Sequence, residues 1–421
     1  MDKVLIWARQ DLTEAKWKRT DFNEPLYWFH SGLKKEHLEG FHAHVDPYIS
    51  LGATRFPATN VYQPVTSLKQ VKNKKYYYPV PFQPHPNLAK TWKEIAYIEP
   101  EHLKRIRKGT CKILILNVME GWSFNTHFKN IIDIFIEKYN LNYQNFVICS
   151  GNILTPDFNT KSVYYNWWEQ HMRNDRALFD YASMYRVLQP YERNRKHKFI
   201  CLNRRPHAHR LLLSEFLYTN NYYNDGILTC CKETDNGNTV YYETSLKNCE
   251  ELYPGIWKNF NVDFLDKLPL VYQDGINAAD DNPTVDTKPD KFYNSWLHIV
   301  TETYSHNGQS FFSEKIFKPI IYWQPFILIG AHNDLKNFRS LGYKTFDGII
   351  DESYDNIFDN TERLQTAFKE ISRIVSMDHA ELKKLYSDCH EILTHNFYHW
   401  MYRQNNMHAD LRKDLLEALY G

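Results

Sequence analysis

The chain has 421 residues, 24% charged and 43% hydrophobic, enough for two domains with cores of their own and too apolar for a disordered chain. Its net charge of +1 is unevenly placed: residues 1–210 carry 32 Lys/Arg against 19 Asp/Glu, and residues 211–421 carry 19 against 31. That asymmetry points to an anionic partner for the first half, or to two oppositely charged domains that attract each other. No heptad, collagen period or internal repeat is present, which excludes fibres and solenoids. The longest apolar stretch, Pro319–Gly330, is too short to span a bilayer. The first residues, MDKVLIWARQDL, carry acids and no small-residue cleavage site, so no signal peptide is expected. Seven cysteines without a CxxC pair predict a reducing, cytoplasmic compartment and no disulfide framework.

In chain order, Val4–Ala8 reads as a buried strand. Pro47–Lys93 has no acid, carries Arg55, Lys69, Lys72, Lys74, Lys75, Lys90 and Lys93, and is dense in proline and tyrosine. It predicts loops and edge strands. Lys112–Met119 is a continuous apolar run, typical of a strand covered on both faces in a parallel sheet. A helix over Phe124–Tyr139 and a strand over Asn145–Ser150 complete a strand–helix–strand unit. The polar segment Gln189–Lys198 predicts a domain boundary, giving domains 1–192 and 193–421. Beyond it come a strand at Lys198–Asn203, a helix at His207–Thr219, a strand at Gly226–Cys231 and an acidic loop at Asn277–Asp290. Then follow a strand at Trp296–Glu302, a helix at Ser313–Tyr322, a strand at Pro325–Gly330 and a short helix at Asn333–Leu341. Three helices close the chain: Thr361–Ser376, His379–Leu393 and Asp410–Leu419. Alternation of strand and helix predicts an α/β fold in which each half is an open parallel sheet with helices on both faces.

The stretch Trp296–Gly342 concentrates the chemistry. Ser313 is a good N-cap for a helix opening with Glu314 and Lys315. Free N–H groups and the positive end of the helix dipole suit a phosphate, and Lys315 adds a full charge. Glu314 can accept hydrogen bonds from ribose hydroxyls. Glu302 ends the preceding strand at the carboxyl edge, where open α/β sheets bind ligands. Gly330 ends the next strand and lets backbone approach a ligand. Spacing alone fits an ordinary capped amphipathic helix equally well.

SEKIFKPIIYWQPFILIG, Ser313–Gly330, resembles the donor-binding motif of α-1,3-fucosyltransferase-like glycosyltransferases, and of a group of bacteriophage glycosyltransferases, some of which decorate hydroxymethylcytosine in DNA. The resemblance covers the C-terminal half well and the N-terminal half weakly. It implies a GT-B-like fold: two Rossmann-like lobes facing a cleft, with C-terminal helices, an N-terminal acceptor-binding lobe and a C-terminal nucleotide-sugar-binding lobe. It also implies that Lys315 binds the donor diphosphate and Glu314 the ribose. The arginine that accompanies them falls in NRRPHAHR, Asn203–Arg210, where Arg210, Arg205 and Arg204 are all candidates and Arg210 is favoured. UDP is the favoured nucleotide on resemblance alone.

Physical chemistry runs parallel. Departure of a nucleoside diphosphate builds negative charge, which arginine, lysine and a helix N-terminus can stabilise without metal. No Asp-x-Asp metal motif occurs, and Asp280-Asp281 is adjacent and in a loop. No cofactor beyond the nucleotide-sugar co-substrate is expected. An inverting reaction needs a base for the acceptor hydroxyl. The resemblance points to a carboxylate of the N-terminal domain. Glu120, directly after the strand 112–119, is the first choice, with Asp46 and Glu24 behind it. A retaining reaction needs none.

The basic stretches, Lys69, Lys72, Lys74, Lys75, Tyr76 and Tyr77 with Arg105, Arg107 and Lys108, suit a phosphate backbone with aromatics stacking on or wedging between bases. The favoured acceptor is a hydroxylated or hydroxymethylated pyrimidine in double-stranded phage DNA, inside an infected bacterial host. A glycan acceptor, lipopolysaccharide or capsule, and a non-catalytic DNA-binding protein are the alternatives. His42-x-His44 and His395/His399 have metal-ligand spacing but lack further ligands. Cys111, Cys149, Cys201, Cys230 and Cys231 fall in expected strands and read as core.

Overall fold

The computed structural model describes residues 3–7, 61–81, 96–118, 120–172, 194–232, 240–271, 289–306 and 308–421. The chain divides into two compact units, one of Met1–Trp167 with Asn405–Gly421 and one of Trp168–Gln404. The expected boundary at 192/193, and Asp46, Glu24, His42 and His44, lie outside the described residues.

The first unit is built on a parallel sheet of β1 (Val4–Trp7), β2 (Tyr62–Val65), β3 (Tyr76–Pro81), β4 (Cys111–Asn117), β5 (Phe146–Ser150) and β6 (Lys161–Tyr164). Their order across the sheet is β2-β1-β3-β4-β5-β6. Three helices accompany it: α1 (Leu68–Val71), α2 (Pro100–Arg107) and α3 (Lys129–Tyr139). Alternate residues of β4, Ile113 and Ile115, pack with Ile106 of α2 and with Phe128, Ile131, Ile132 and Phe135 at α3. Period two on the strand thus meets the helical period on α3. β4 is buried along nearly its whole length, as its unbroken apolar run requires. Pro100 opens α2 at a position where its missing N–H costs nothing, and Lys104, Arg105 and Arg107 fall in its last turn, where the dipole favours cations.

β3 corrects the expectation of loops and edge strands over residues 47–93. It is an interior strand, in register with β4 from Tyr76–Cys111 to Pro81–Leu116. Tyr76, Tyr77 and Tyr78 are each fully buried, as three consecutive residues of a strand covered on both faces must be. Residues two apart on a parallel strand turn their N–H groups to the same neighbour. β1 meets β3 at Ile6–Tyr77. Tyr77, Pro79 and Pro81 therefore face β1, and the two prolines leave the β4 ladder whole. β2 is an edge strand, as expected within residues 47–93, and β6, which the sequence analysis did not name, is the other edge. β2 carries Pro64, tolerable at an edge, and β6 is only partly buried.

The second unit opens with α4 (Trp167–His171) and has a sheet of β7 (His197–Asn203), β8 (Ile227–Cys230), β9 (Ser295–Thr301) and β10 (Phe326–Ile329). The helices that follow are α5 (Ala208–Thr219), α6 (Val240–Leu252), α7 (Pro254–Trp257), α8 (Pro289–Tyr293), α9 (Glu314–Ile321), α10 (Asp334–Ser340), α11 (Asn360–Val375), α12 (His379–Asp388) and α13 (His390–Tyr420). The order is β10-β9-β7-β8, all parallel. The chain passes from β7 to β8 on one side and then returns to place β9 on the other. The carboxyl ends of β7 and β9 are therefore a topological switch point. The acidic loop 277–290 lies outside the described residues except for its last two, which begin α8.

The closing helices differ from expectation. Asn360–Val375 and His379–Asp388 stand separately, but everything after them is one helix of 31 residues. No proline or glycine occurs between His390 and Tyr420, so nothing stops it. Its end is capped within the first unit. The Tyr77 hydroxyl donates to the Leu415 carbonyl at 2.7 Å, Lys112 Nζ to that of Ala418 at 2.7 Å and Lys75 Nζ to that of Leu419 at 3.5 Å. The Ala418 and Leu419 carbonyls are among those that a helix C-terminus leaves without intrahelical partners. All seven cysteines are buried and outside any disulfide, among them the five read as core. No described helix is long and apolar enough to cross a membrane.

Candidate functional site

At the switch point the structure gathers the residues singled out in the second half. Glu302 follows β9 immediately and is fully buried. Its carboxylate accepts from the Ser313 backbone N–H at 3.2 and 3.3 Å, from the Ser313 hydroxyl at 2.5 Å and from the Thr303 N–H at 3.3 Å. The end of β9 is thereby tied to the start of α9. Burial pushes the Glu302 carboxyl above its usual range, with Lys315 and Ser313 acting against that rise. Ser313 is the N-cap, as its place in the sequence predicts, accepting from the Lys315 N–H at 3.4 Å.

Lys315 reaches back over that terminus. Its Nζ lies 2.9 Å from the Ser313 hydroxyl, 3.0 Å from Glu314 Oε1 and 3.5 Å from the Thr303 hydroxyl. Burial alone would raise the Glu314 carboxyl. Lys315 and Lys318 outweigh it and hold the group at about 2. A half-buried lysine, an ionised carboxylate and the N–H groups of a helix start therefore share one place. That combination can hold a phosphate by its charge and a sugar hydroxyl by its acceptors.

Arg210 lies in the first turn of α5, after β7, and only 3% of it is exposed. It faces backbone: Nη2 donates to the carbonyls of Thr301 at 3.0 Å and Glu302 at 3.1 Å, and Nη1 to that of Arg205 at 3.2 Å. Burial brings its guanidinium down to about 10, despite Glu302 and Glu314. Arg204 and Arg205 are half-buried in the loop between β7 and α5. His209, which the sequence analysis passed over, also points at this strand end, its Nε2 being 2.9 Å from the Glu302 carbonyl oxygen. Its position beside Arg210 in the first turn of a helix leaving β7 was the available signal.

Gly330 has a use other than the one expected. A Cβ there would collide with the Asp334 carboxylate. Asp334 accepts from the Ala331 N–H at 2.6 Å and from the Ser310 hydroxyl at 2.6 Å. The glycine admits a protein carboxylate that caps the β10–α10 turn.

In the first unit, Glu120 lies just past the carboxyl end of β4, half-buried, its backbone N–H donating to Asn117 Oδ1 at 3.2 Å. The basic residues lie at the other end of that sheet. Lys72, Lys74 and Lys75 lead into β3, while Arg105, Arg107 and Lys108 lead into β4, and the two strands start side by side at Tyr76–Cys111. Seven residues of β4 separate the two edges, about 20 Å. Lys69, Lys72, Lys74, Arg107 and Lys108 are exposed. Arg107 also donates to the Tyr139 carbonyl at 2.7 Å, and Arg105 stands 6.0 Å from the Tyr76 ring. Three of the expected acceptor contacts are corrected. Tyr76 and Tyr77 are core residues and offer no ring to a base. Tyr76 shares a hydrogen with His102 Nδ1 at 2.7 Å, and Lys75 caps α13. His395 and His399 lie 2.9 and 2.8 Å from the carbonyl oxygens of Gly342 and Leu341, so both rings hold a turn.

No protein-family profile matches the chain, and no curated protein matches it. Among solved structures, a UDP-forming α,α-trehalose-phosphate synthase from Burkholderia xenovorans is similar at 15% identity over 82% of this chain and 70% of its own, with a TM-score of 0.32. An α,α-trehalose 6-phosphate synthase from Burkholderia multivorans is similar at 10% identity over 99% and 100%, with a TM-score of 0.35. The N-terminal domain of a Candida albicans trehalose-6-phosphate phosphatase is similar at 11% over 98% and 97%, also at 0.35. Superpositions this loose carry no inference about activity.

Proposed function

We propose that this chain is a glycosyltransferase of GT-B type that takes a sugar from a nucleotide diphosphate, with UDP favoured. The observation that carries the proposal is the switch point between β7 and β9, where Lys315, the N-terminus of α9, Glu314 and Glu302 meet. Lys315 and the α9 amides hold the diphosphate, joined by the Arg204–Arg205 loop. Glu314 takes the ribose. Arg210, spent on three carbonyls, secures the strand end behind them. In the reaction the bond from the anomeric carbon to the phosphate oxygen breaks, and that carbon bonds to the acceptor oxygen. The electron pair leaves on the diphosphate, whose charge the cationic groups stabilise. The acceptor proton passes to a carboxylate, Glu120 or Asp46, in an inverting enzyme.

The acceptor is a hydroxylated or hydroxymethylated pyrimidine in phage DNA, a reading supported by the exposed Lys69, Lys72, Lys74, Arg107 and Lys108. A glycan acceptor stays in play for a specific reason: burial of Tyr76 and Tyr77 and capping of α13 by Lys75 remove three groups from the nucleic-acid surface. The deciding experiment incubates the full chain with UDP- and GDP-sugars and DNA containing 5-hydroxymethylcytosine, then weighs the released nucleosides. A gain of one sugar is expected. Transfer to lipopolysaccharide or capsular oligosaccharide, with none to DNA, overturns the DNA acceptor. Transfer to no acceptor, without binding of any nucleotide sugar, overturns the enzyme.

A further inference from the structure

We infer that His209, Ser305 and Tyr253 are positioning residues for the donor site, a buried hydrogen-bond chain that sets where the Glu302 peptide lies and hence where α9 begins. The inference rests on the donor reading above. Its members come from three elements: His209 from the first turn of α5, Ser305 from the loop after β9, and Tyr253 between α6 and α7. All are buried, at 3%, 5% and 1% exposure.

The direction of the chain follows from its fixed end. His209 Nε2 is 2.9 Å from the Glu302 carbonyl oxygen, which can only accept. Nε2 therefore carries the hydrogen. The ring is neutral, since burial and the neighbouring Arg210 keep its basicity well below the usual histidine range. A neutral ring with Nε2–H has an acceptor at Nδ1. The Ser305 hydroxyl, 2.8 Å away, donates to it. That hydroxyl then has only acceptor capacity left for Tyr253, whose phenol donates at 2.7 Å. Reversing any one link leaves a buried polar group without a match.

The consequence reaches α9 in two steps. His209 and Arg210, adjacent on α5, both donate to the Glu302 carbonyl, and Arg210 also donates to that of Thr301. The Glu302 peptide is thus held from its carbonyl side by α5. Its side chain holds Ser313 by N–H and hydroxyl. The path runs Tyr253, Ser305, His209, Glu302, Ser313, and ends on the cap of the helix that carries Lys315. Groups at a binding site are held to tolerance by such outer contacts, and losing them lowers affinity without touching ligand.

The test is equilibrium binding of UDP, GDP, ADP and CDP to the full chain, with thermal unfolding followed in parallel. Ser305→Ala and His209→Ala should weaken the preferred diphosphate about tenfold, the equivalent of one buried hydrogen bond. His209→Gln, whose amide can still donate to the Glu302 carbonyl, should recover part of that loss. Nitrogen NMR should show the Nε2–H form of His209 in the native chain and in Ser305→Ala alike, with the Nδ1 resonance shifted in the variant by loss of the Ser305 hydrogen bond. Should His209→Ala fail to fold, Ser305→Ala and Tyr253→Phe, each short of one hydroxyl, still decide the matter. Unchanged affinity in the folded variants, with only the unfolding midpoint lowered, overturns the positioning role and leaves the donor reading standing. A native chain that binds none of the four overturns both.

Discussion

At the scale of single residues, the proposed donor site is a balance of a few buried charges. Lys315 is the group nearest to being available, its side chain 21% exposed and its contacts all with the α9 terminus and Thr303. On the proposed function, Lys315→Ala should lower sugar transfer about 100-fold, as loss of one well-placed transition-state donor does, while the fold persists. Initial rates with saturating acceptor measure it, and near-native rates would move the donor site elsewhere. Glu314 gives a pH signature. Its carboxyl is held at about 2 in the fold against 4.5 when free, so its contribution to stability is full above about pH 4.5 and is lost as pH falls toward 2. Glu314→Gln should therefore be less stable than the native chain at pH 7, by about 1–3 kcal/mol, with the gap closing below pH 4.5. Denaturant midpoints at pH 7 and pH 3 check the sign.

At the scale of elements, Gly330 and Asp334 show how a strand end is shaped for a helix rather than for a ligand. Gly330→Ala should displace the Asp334 carboxylate from the Ala331 N–H and the Ser310 hydroxyl and cost about 1–3 kcal/mol, read as a lowered thermal midpoint. The same scale shows what a sequence can carry. Strands built on apolar runs, such as β5 and β10, were legible, because burial on both faces leaves a signature in composition alone. Ser313, Glu314 and Lys315 were legible as a helix start because caps follow local rules. β3 was not, since Tyr, Tyr, Tyr, Pro, Val, Pro reads as a turn-rich edge until a neighbouring strand is known to accept its ladder on one side. Nor was the duty of Arg210: a cation near a strand end fits a phosphate or a carbonyl equally well. Lys75 failed for a related reason, its partner being a carbonyl 344 residues away.

At the scale of the molecule, the uneven charge resolves into places. Lys72, Lys74, Arg107 and Lys108 lie at the amino edge of the first sheet, and Glu120 lies at its carboxyl edge. Any polyanion held by those lysines is gripped about 20 Å, one strand length, from the candidate base. On the proposed DNA acceptor, binding of the duplex should fall steeply with salt. The triple change Lys69→Glu, Lys72→Glu and Lys74→Glu should flatten the log–log slope by about 3, since each phosphate no longer neutralised removes about 0.9. Titrations between about 50 and about 200 mM salt measure it. A slope indifferent to these residues favours the glycan acceptor.

The long last helix has a consequence for how the chain is made. Its first part belongs to the second unit, and residues from Asn405 onward belong to the first. The carbonyls that Tyr77, Lys75 and Lys112 satisfy come from Leu415, Leu419 and Ala418. During synthesis the N-terminal sheet is translated first yet lacks its closing segment until residues 405–421 have followed the whole second unit. For most of that interval two lysines and a buried tyrosine await acceptors not yet translated. A fragment ending at Trp167 lacks those acceptors, and supplying residues 405–421 as a separate peptide is the way to complete it.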